Sequence, residues 1–134
     1  MATPTTGSQK TILIIDDQKF FLTVQEGLFK QQGFRVVTAS NGTEGLARAK
    51  QHKPDLILLD VEMPGMDGFA VCEKLKEDNE LKPIPVIILT ATQDVKLNQK
   101  AFKAGAEITV QKTVPGERLL NIVRITLDKG KSPA

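Results

Sequence analysis

Residues 56–60 read Leu-Ile-Leu-Leu-Asp, so that a carboxylate follows directly on four apolar residues. A short run that is apolar throughout is typical of a strand buried on both faces of a parallel sheet. Two other runs have the same form: residues 12–15 precede the pair Asp16-Asp17, and residues 86–89 precede Thr90. The sequence therefore predicts several central parallel strands, each with a polar residue at its carboxyl end.

Helical patterns separate these strand patterns along the chain. Asn41, Asp67 and Asp94 are predicted helix caps, Gly105 is a predicted helix end, and Pro115 fits the first turn of a last helix. The apolar residues expected on the helix faces are Phe20, Phe21, Val24, Leu28, Leu46, Ala47, Ala49, Phe69, Cys72, Leu75, Leu97, Ala101, Ala104, Leu119, Ile122, Val123 and Leu127.

Five strand–helix units predict one α/β domain over residues 10–128. We expect a five-stranded, doubly wound parallel sheet of order 2-1-3-4-5 with five helices, a flavodoxin-like fold. Residues 1–9 and 129–134 are predicted to be flexible tails, because small and polar residues dominate them. Strands 1 and 3 are neighbours in this order, and ligands bind beyond their carboxyl ends. Asp16-Asp17 and Asp60 are therefore expected to share one crevice.

The composition argues against several classes of protein. The net charge of +2 is too small to indicate binding to nucleic acid or to a membrane surface, and the absence of Trp and Tyr removes the usual stacking platforms for single strands. The single cysteine, Cys72, excludes an intramolecular disulfide and fits a reducing compartment. No run approaches the roughly 20 apolar residues that cross a bilayer. We expect a cytoplasmic protein.

Three clustered carboxylates repel one another, so they need protons or a cation to coexist. Mg²⁺ takes one or two carboxylates and fills its other positions with water or phosphate oxygens. A carboxylate beside such an ion can attack phosphorus and form an acyl phosphate. Thr90 could donate a hydrogen bond to a phosphoryl oxygen, and Lys112, two residues after the weaker run 108–110, could balance the charge of the transferred group.

Several of these residues also carry a resemblance to a known family. It is carried by Asp16-Asp17, by residues 58–68 (Leu-Leu-Asp-Val-Glu-Met-Pro-Gly-Met-Asp-Gly), and by Thr90-Ala91, Gly105-Ala106 and Lys112. Over about residues 10–128 the chain resembles the receiver domain of two-component response regulators. The segment Asp-x-x-Met-Pro-x-x-Asp-Gly is highly specific when it follows an apolar strand.

The resemblance implies a role for each acidic residue. Asp60 would be the phosphoacceptor and would take a phosphoryl group from a phosphohistidine on a sensor histidine kinase or a histidine phosphotransfer protein. Mg²⁺ would be the cofactor, bound directly by Asp17 and Asp60, by Glu62 through its backbone carbonyl, and by Asp16 through water.

The resemblance also implies how the signal leaves the site. Thr90 would turn inward to the phosphoryl group, Lys112 would pair with it, and the face of the fourth helix, fifth strand and fifth helix would contact a downstream protein.

Two positions depart from the family pattern. Thr109 stands where an aromatic switch residue is common, and Thr113 follows the lysine where proline is usual, often after a cis bond. A cis bond before a non-proline residue costs about 3–4 kcal/mol. The sequence therefore leaves two alternatives open. Either the bond after Lys112 is trans and the loop differs from the family's, or strain is held at that bond.

These features predict a single-domain response regulator that assists its own phosphorylation and dephosphorylation and turns over no independent substrate. The alternative is a pseudo-receiver, an interaction module that is not controlled by phosphorylation. This alternative is suggested by Thr109 and Thr113, the two departures from the family pattern. An aspartyl-phosphate hydrolase of the dehalogenase type is disfavoured, because Glu62 stands where such enzymes have a second Asp.

Overall fold

The computed structural model describes residues 9–62, 67–91 and 94–130. Strands and helices alternate five times, as the sequence predicts. Their bounds are β1 Thr11–Ile15, α1 Lys19–Gln31, β2 Arg35–Ala39, α2 Gly42–His52, β3 Leu56–Asp60, α3 Gly68–Glu77, β4 Val86–Thr90, α4 Val95–Ala104, β5 Ile108–Gln111 and α5 Gly116–Gly130. The predicted tails fall mostly on residues 1–8 and 131–134, outside the described part of the chain, although α5 runs to Gly130.

The strands form one parallel sheet of order β2-β1-β3-β4-β5, which confirms the predicted topology. The register pairs Ile15 with Leu59 and Asp60 with Leu89, so β1, β3 and β4 end almost level. Consecutive parallel strands need crossover helices, and those helices cover both faces of the sheet. The carboxyl ends of the three central strands therefore share one edge, which is where the sequence places its polar residues.

Each face of the sheet carries its own core. Side chains alternate along a strand, so Leu13 and Ile15 join the core beneath α2, α3 and α4, while Ile12 and Ile14 join the core beneath α1 and α5. All five residues of β3 and of β4 are buried, as expected for central strands. Among the helices that the structure describes, none has both the length and the apolar character needed to cross a membrane.

The helix ends follow the predicted signals. The side chains of Asn41, Asp67 and Asp94 accept hydrogen bonds of 2.8, 2.9 and 2.9 Å from backbone N–H groups in the first turns of α2, α3 and α4. Gly105 ends α4 with φ 97°, a left-handed conformation that glycine adopts without strain. The prediction for Pro115 is wrong by one position. It lies just before α5, where its carbonyl accepts an early hydrogen bond of the helix.

Three predicted helix-face residues do not belong to the core. Phe20 and Val24 are 81% and 51% exposed, and Ala47 is exposed as well. Helix α1 instead turns Gln25 and Phe29 inward, and both are buried. Helical spacing alone did not fix this rotation, because apolar residues surround much of the first turns of α1 and so define no unique face.

Candidate functional site

The acidic residues meet at the sheet edge because of the strand register. Asp60 is the last residue of β3, and Asp16 and Asp17 follow β1, whose Ile15 lies opposite Leu59. One carboxylate oxygen from each of Asp16, Asp17 and Asp60 lies within 4.8 Å of the other two. The predicted convergence of the three carboxylates is therefore present in the structure.

The two inner carboxylates are buried and only half satisfied. Asp16 and Asp60 are each 1% exposed, whereas Asp17 is exposed. The Oδ1 atoms accept backbone hydrogen bonds of 2.9 Å from Gln18 and Glu62, respectively. Within the part of the chain that the structure describes, neither Oδ2 atom has a hydrogen bond of good geometry. These two buried anionic oxygens therefore need positive charge nearby.

Lys112 supplies one positive charge to this crevice. Its Nζ lies 3.0 Å from Asp16 Oδ2 and 3.2 Å from Asp60 Oδ2, which are ion-pair distances rather than directed hydrogen bonds. Its backbone N–H donates to the carbonyl of Thr90 at 2.8 Å, which fixes the loop after β5 to the end of β4. The lysine side chain is only 11% exposed. Lys112 is thus a partly desolvated cation held between two buried carboxylates.

The ionisation of the crevice reflects burial and mutual charge. Burial raises the pKa of Asp16 and the negative charge of Asp60 raises it further, while the N–H of Gln18 and the ammonium of Lys112 oppose the shift. Burial alone would lower the pKa of Lys112, but its contacts with Asp16 and Asp60 outweigh that cost and the pKa is raised. The lysine therefore stays charged, and the remaining negative charge favours a second cation.

The residues present fit a hard divalent cation. Carboxylate oxygens are the ligands that Mg²⁺ prefers, and the cluster offers three carboxylates whose combined negative charge the single ammonium of Lys112 does not balance. Glu62 follows the end of β3, and its side chain accepts a 3.3 Å hydrogen bond from the N–H of Ala91. Its role as a backbone ligand stays a prediction.

Thr90 lies at the same edge as the acidic cluster. It is the last residue of β4 and is 2% exposed. Its inward turn towards a phosphoryl group stays a prediction. The segment Met-Pro-Gly-Met at 63–66, which carries part of the family resemblance, lies outside the described residues.

Gly68 lets helix α3 approach the end of β3 at the acidic cluster. A Cβ at this position would stand 2.7 Å from the carbonyl oxygen of Asp60 and closer still to Cα of Val61. Real Cβ atoms essentially never show contacts under 3.0 Å, so any side chain would force backbone apart. Gly68 therefore allows the close packing of α3 against the end of β3.

Thr109 and Thr113, the two departures from the family pattern, both lie within the described residues. The peptide bond between Lys112 and Thr113 is trans, which settles the alternative that the sequence left open. The hydroxyl of Thr109 donates a hydrogen bond to the side-chain oxygen of Asn98, and so ties β5 to α4. A polar contact stands where an aromatic side chain is common in the family.

Two residues of the site were missed by sequence reasoning. Gln18 accepts a 3.0 Å hydrogen bond from Nζ of Lys112, and the same Nζ lies 4.6 Å from the ring centroid of Phe21. Gln18 directly follows the Asp pair and Phe21 lies in the first turn of α1, so their position next to the site was the available signal.

Comparison with known proteins supports the family resemblance that the sequence motifs indicate. A family model described as response regulator receiver domain matches residues 12–124. The protein PilH of Pseudomonas aeruginosa is 35% identical over 87% of this chain and 96% of its own length. The polar-differentiation response regulator DivK of Brucella anthropi is 30% identical over 86% of this chain and 94% of its own length.

Other curated relatives are longer than this chain. The transcriptional regulatory protein AfsQ1 of Streptomyces coelicolor is 37% identical over 90% of this chain, yet the chain spans only 52% of its length. Among solved structures, a CheY-like receiver domain protein of Methanospirillum hungatei aligns with a TM-score of 0.87 at 27% identity, covering 92% of this chain and 98% of the other.

Proposed function

Because the chain belongs to the response regulator receiver domain family, we propose that Asp60 accepts a phosphoryl group from a phosphohistidine. The donor would be a sensor histidine kinase or a histidine phosphotransfer protein. The observation that carries the proposal is the position of the Asp60 carboxylate, which is buried and lies 3.2 Å from a lysine ammonium beside two further carboxylates. The pseudo-receiver alternative is not favoured, since neither the acidic residues nor the lysine is missing.

The proposed transfer is a displacement at phosphorus. An oxygen of Asp60 forms the new bond while the phosphorus–nitrogen bond of the phosphohistidine breaks, and the imidazole leaves with its second nitrogen protonated. The ammonium of Lys112, 3.2 Å from Asp60, would stabilise the charge that accumulates on the phosphoryl oxygens, and the hydroxyl of Thr90 would donate a hydrogen bond there. Positioning and charge balance are the protein's main contributions to this chemistry.

The metal requirement follows from the charge of the site. Asp16, Asp17 and Asp60 would hold Mg²⁺, together with the backbone carbonyl of Glu62. When bound, the ion would neutralise charge on the incoming phosphoryl oxygens. The protein would assist its own phosphorylation and dephosphorylation, with no independent substrate.

The proposed output is a change in protein–protein contacts. We assign it to the α4–β5–α5 face, where the apolar side chains of Val95, Phe102 and Ile108 are 70%, 81% and 44% exposed. The match over nearly the whole length of PilH and DivK supports a single-domain regulator. That it binds no nucleic acid remains an expectation from the small net charge of the sequence. A cytoplasmic location remains an expectation from the sequence.

The test is phosphorylation by a small-molecule donor, which removes any dependence on an unidentified kinase. The parent protein is incubated with phosphoramidate and Mg²⁺, and intact mass spectrometry counts phosphoryl groups. We expect one group on the parent, none after chelation of the metal, and none on Asp60→Asn. Asp94→Asn is the matched control, since asparagine also caps helices well and Asp94 lies outside the acidic cluster. A folded parent protein that gains no mass would refute the proposal.

A further inference from the structure

Lys112 is held from two directions. On one side lie the carboxylates of Asp16 and Asp60, and on the other lies the beginning of α1. From α1 the ring of Phe21 stands 4.6 Å from Nζ, and the side-chain oxygen of Gln18, just before the helix, accepts a 3.0 Å hydrogen bond from it. The ammonium therefore contacts a carbonyl oxygen and an aromatic face in addition to its two ion-pair partners.

These contacts matter because lysine is a poorly ordered residue by itself. Its four-carbon stem carries roughly 2 kcal/mol of rotamer entropy, and its charge is a compact point without the fixed fork of arginine. Contacts with neighbouring side chains that are themselves well packed therefore decide where the ammonium lies.

Phe21 meets that requirement. It is only partly buried, yet it packs against the core cluster that includes buried residues of β1, α1 and α5, and this packing restricts its ring. A cation over an aromatic face gains more when both are shielded from water, and the lysine side chain is 11% exposed.

We propose that Phe21 and Gln18 are positioning residues that hold the Lys112 ammonium against Asp60 ready for phosphoryl transfer. This inference deepens the proposed function and rests on it. Neither residue touches the reacting atoms in this scheme, and both act through Lys112.

The competing explanation is that Phe21 only fills space in the core. Leucine separates the two explanations, because it fills much of the same space but has no aromatic face, whereas tyrosine keeps the face. Phe20→Leu is the matched control, since Phe20 lies in the same turn and is 81% exposed.

The first readout needs no phosphorylation. Because Nζ of Lys112 lies over the Phe21 ring, we expect the protons on the adjacent methylene to show an upfield ring-current shift in proton–carbon NMR spectra of the metal-free protein. We expect the shift to vanish in Phe21→Leu and to persist in Phe21→Tyr and Phe20→Leu. An identical Lys112 signal in parent and Phe21→Leu would overturn the inference, whether or not the protein is phosphorylated.

The second readout is the rate of phosphorylation by phosphoramidate with saturating Mg²⁺. We expect Phe21→Leu to be about fivefold slower than the parent, and Gln18→Met about threefold slower, with Phe21→Tyr and Phe20→Leu within twofold of the parent. Equal rates for Phe21→Leu and a reactive parent would also overturn the inference. An unreactive parent would instead count against the proposed function, and the NMR comparison would still decide whether Lys112 is held.

Discussion

Replacing Gly68 by alanine tests how closely α3 must approach the acidic site. The added methyl group would stand 2.7 Å from the carbonyl oxygen of Asp60 and would overlap the backbone of Val61. Relief requires backbone to move by several tenths of an ångström, because no flexible side chain can give way. Overpacking of this kind costs typically about 1–3 kcal/mol.

Gly27→Ala is the matched control. Gly27 lies inside α1, and an added Cβ there meets nothing within 4 Å. Alanine in a helix interior is favoured over glycine by about 0.5–1 kcal/mol. The two variants carry the same chemical change, and we expect their free energies of unfolding to differ by about 1.5–4 kcal/mol, with Gly68→Ala the less stable.

The assay is urea denaturation followed by far-UV circular dichroism, since the chain has no Trp or Tyr for fluorescence. The phosphorylation rate is measured on the same samples in native buffer. Because the overlap falls on the strand end that carries Asp60, Gly68→Ala should also be phosphorylated more slowly, and Gly27→Ala should not. Equal stability and equal rate for Gly68→Ala and the parent would refute the close-packing argument.

Three further substitutions or reactions test other parts of the structure. Burial raises the pKa of Cys72 to about 11, so its thiol should react with a disulfide reagent only after unfolding. The free energy of unfolding should also fall as the pH rises from about 9 towards about 11, because the thiol ionises first in the unfolded chain. This fall should be less steep in Cys72→Ala. Gln25→Met should raise the free energy of unfolding by about 1 kcal/mol, since Gln25 is 3% exposed and its Oε1 has no hydrogen-bond partner among the described residues. Lys53→Gly should raise the free energy of unfolding by a similar amount, because Lys53 has φ 46°, a left-handed conformation that glycine adopts with less strain. Both variants are measured by urea titration, and an unchanged midpoint for Gln25→Met or for Lys53→Gly would contradict the corresponding prediction.

The convergence of the acidic residues could be predicted because it depends on strand order alone. Short apolar runs identify central parallel strands, right-handed crossovers limit their order, and the register then brings Asp16 next to Asp60. No side-chain detail is needed for that step. Helix caps such as Asn41 and Asp94 were equally accessible, because a cap is a local interaction within a few residues.

The surroundings of Lys112 could not be predicted in the same way. Its contacts with Gln18 and Phe21 join residues that lie more than 90 positions apart. They depend on how α1 is rotated against the sheet, and the apolar pattern of α1 did not fix that rotation, as the exposure of Phe20 shows. The side-chain contacts between different elements of the site were therefore not predictable from the sequence, whereas the location of the site was.

The central claim is that the Asp60 carboxylate, and no other, receives the phosphoryl group. The phosphorylated protein is treated with tritiated borohydride, which reduces an acyl phosphate to an alcohol and so converts the modified aspartate to labelled homoserine, and peptides are then sequenced by mass spectrometry. We predict labelled homoserine at position 60 alone. Label at Asp16 or Asp17 instead, or a phosphorylated protein that acquires no label, would contradict the account.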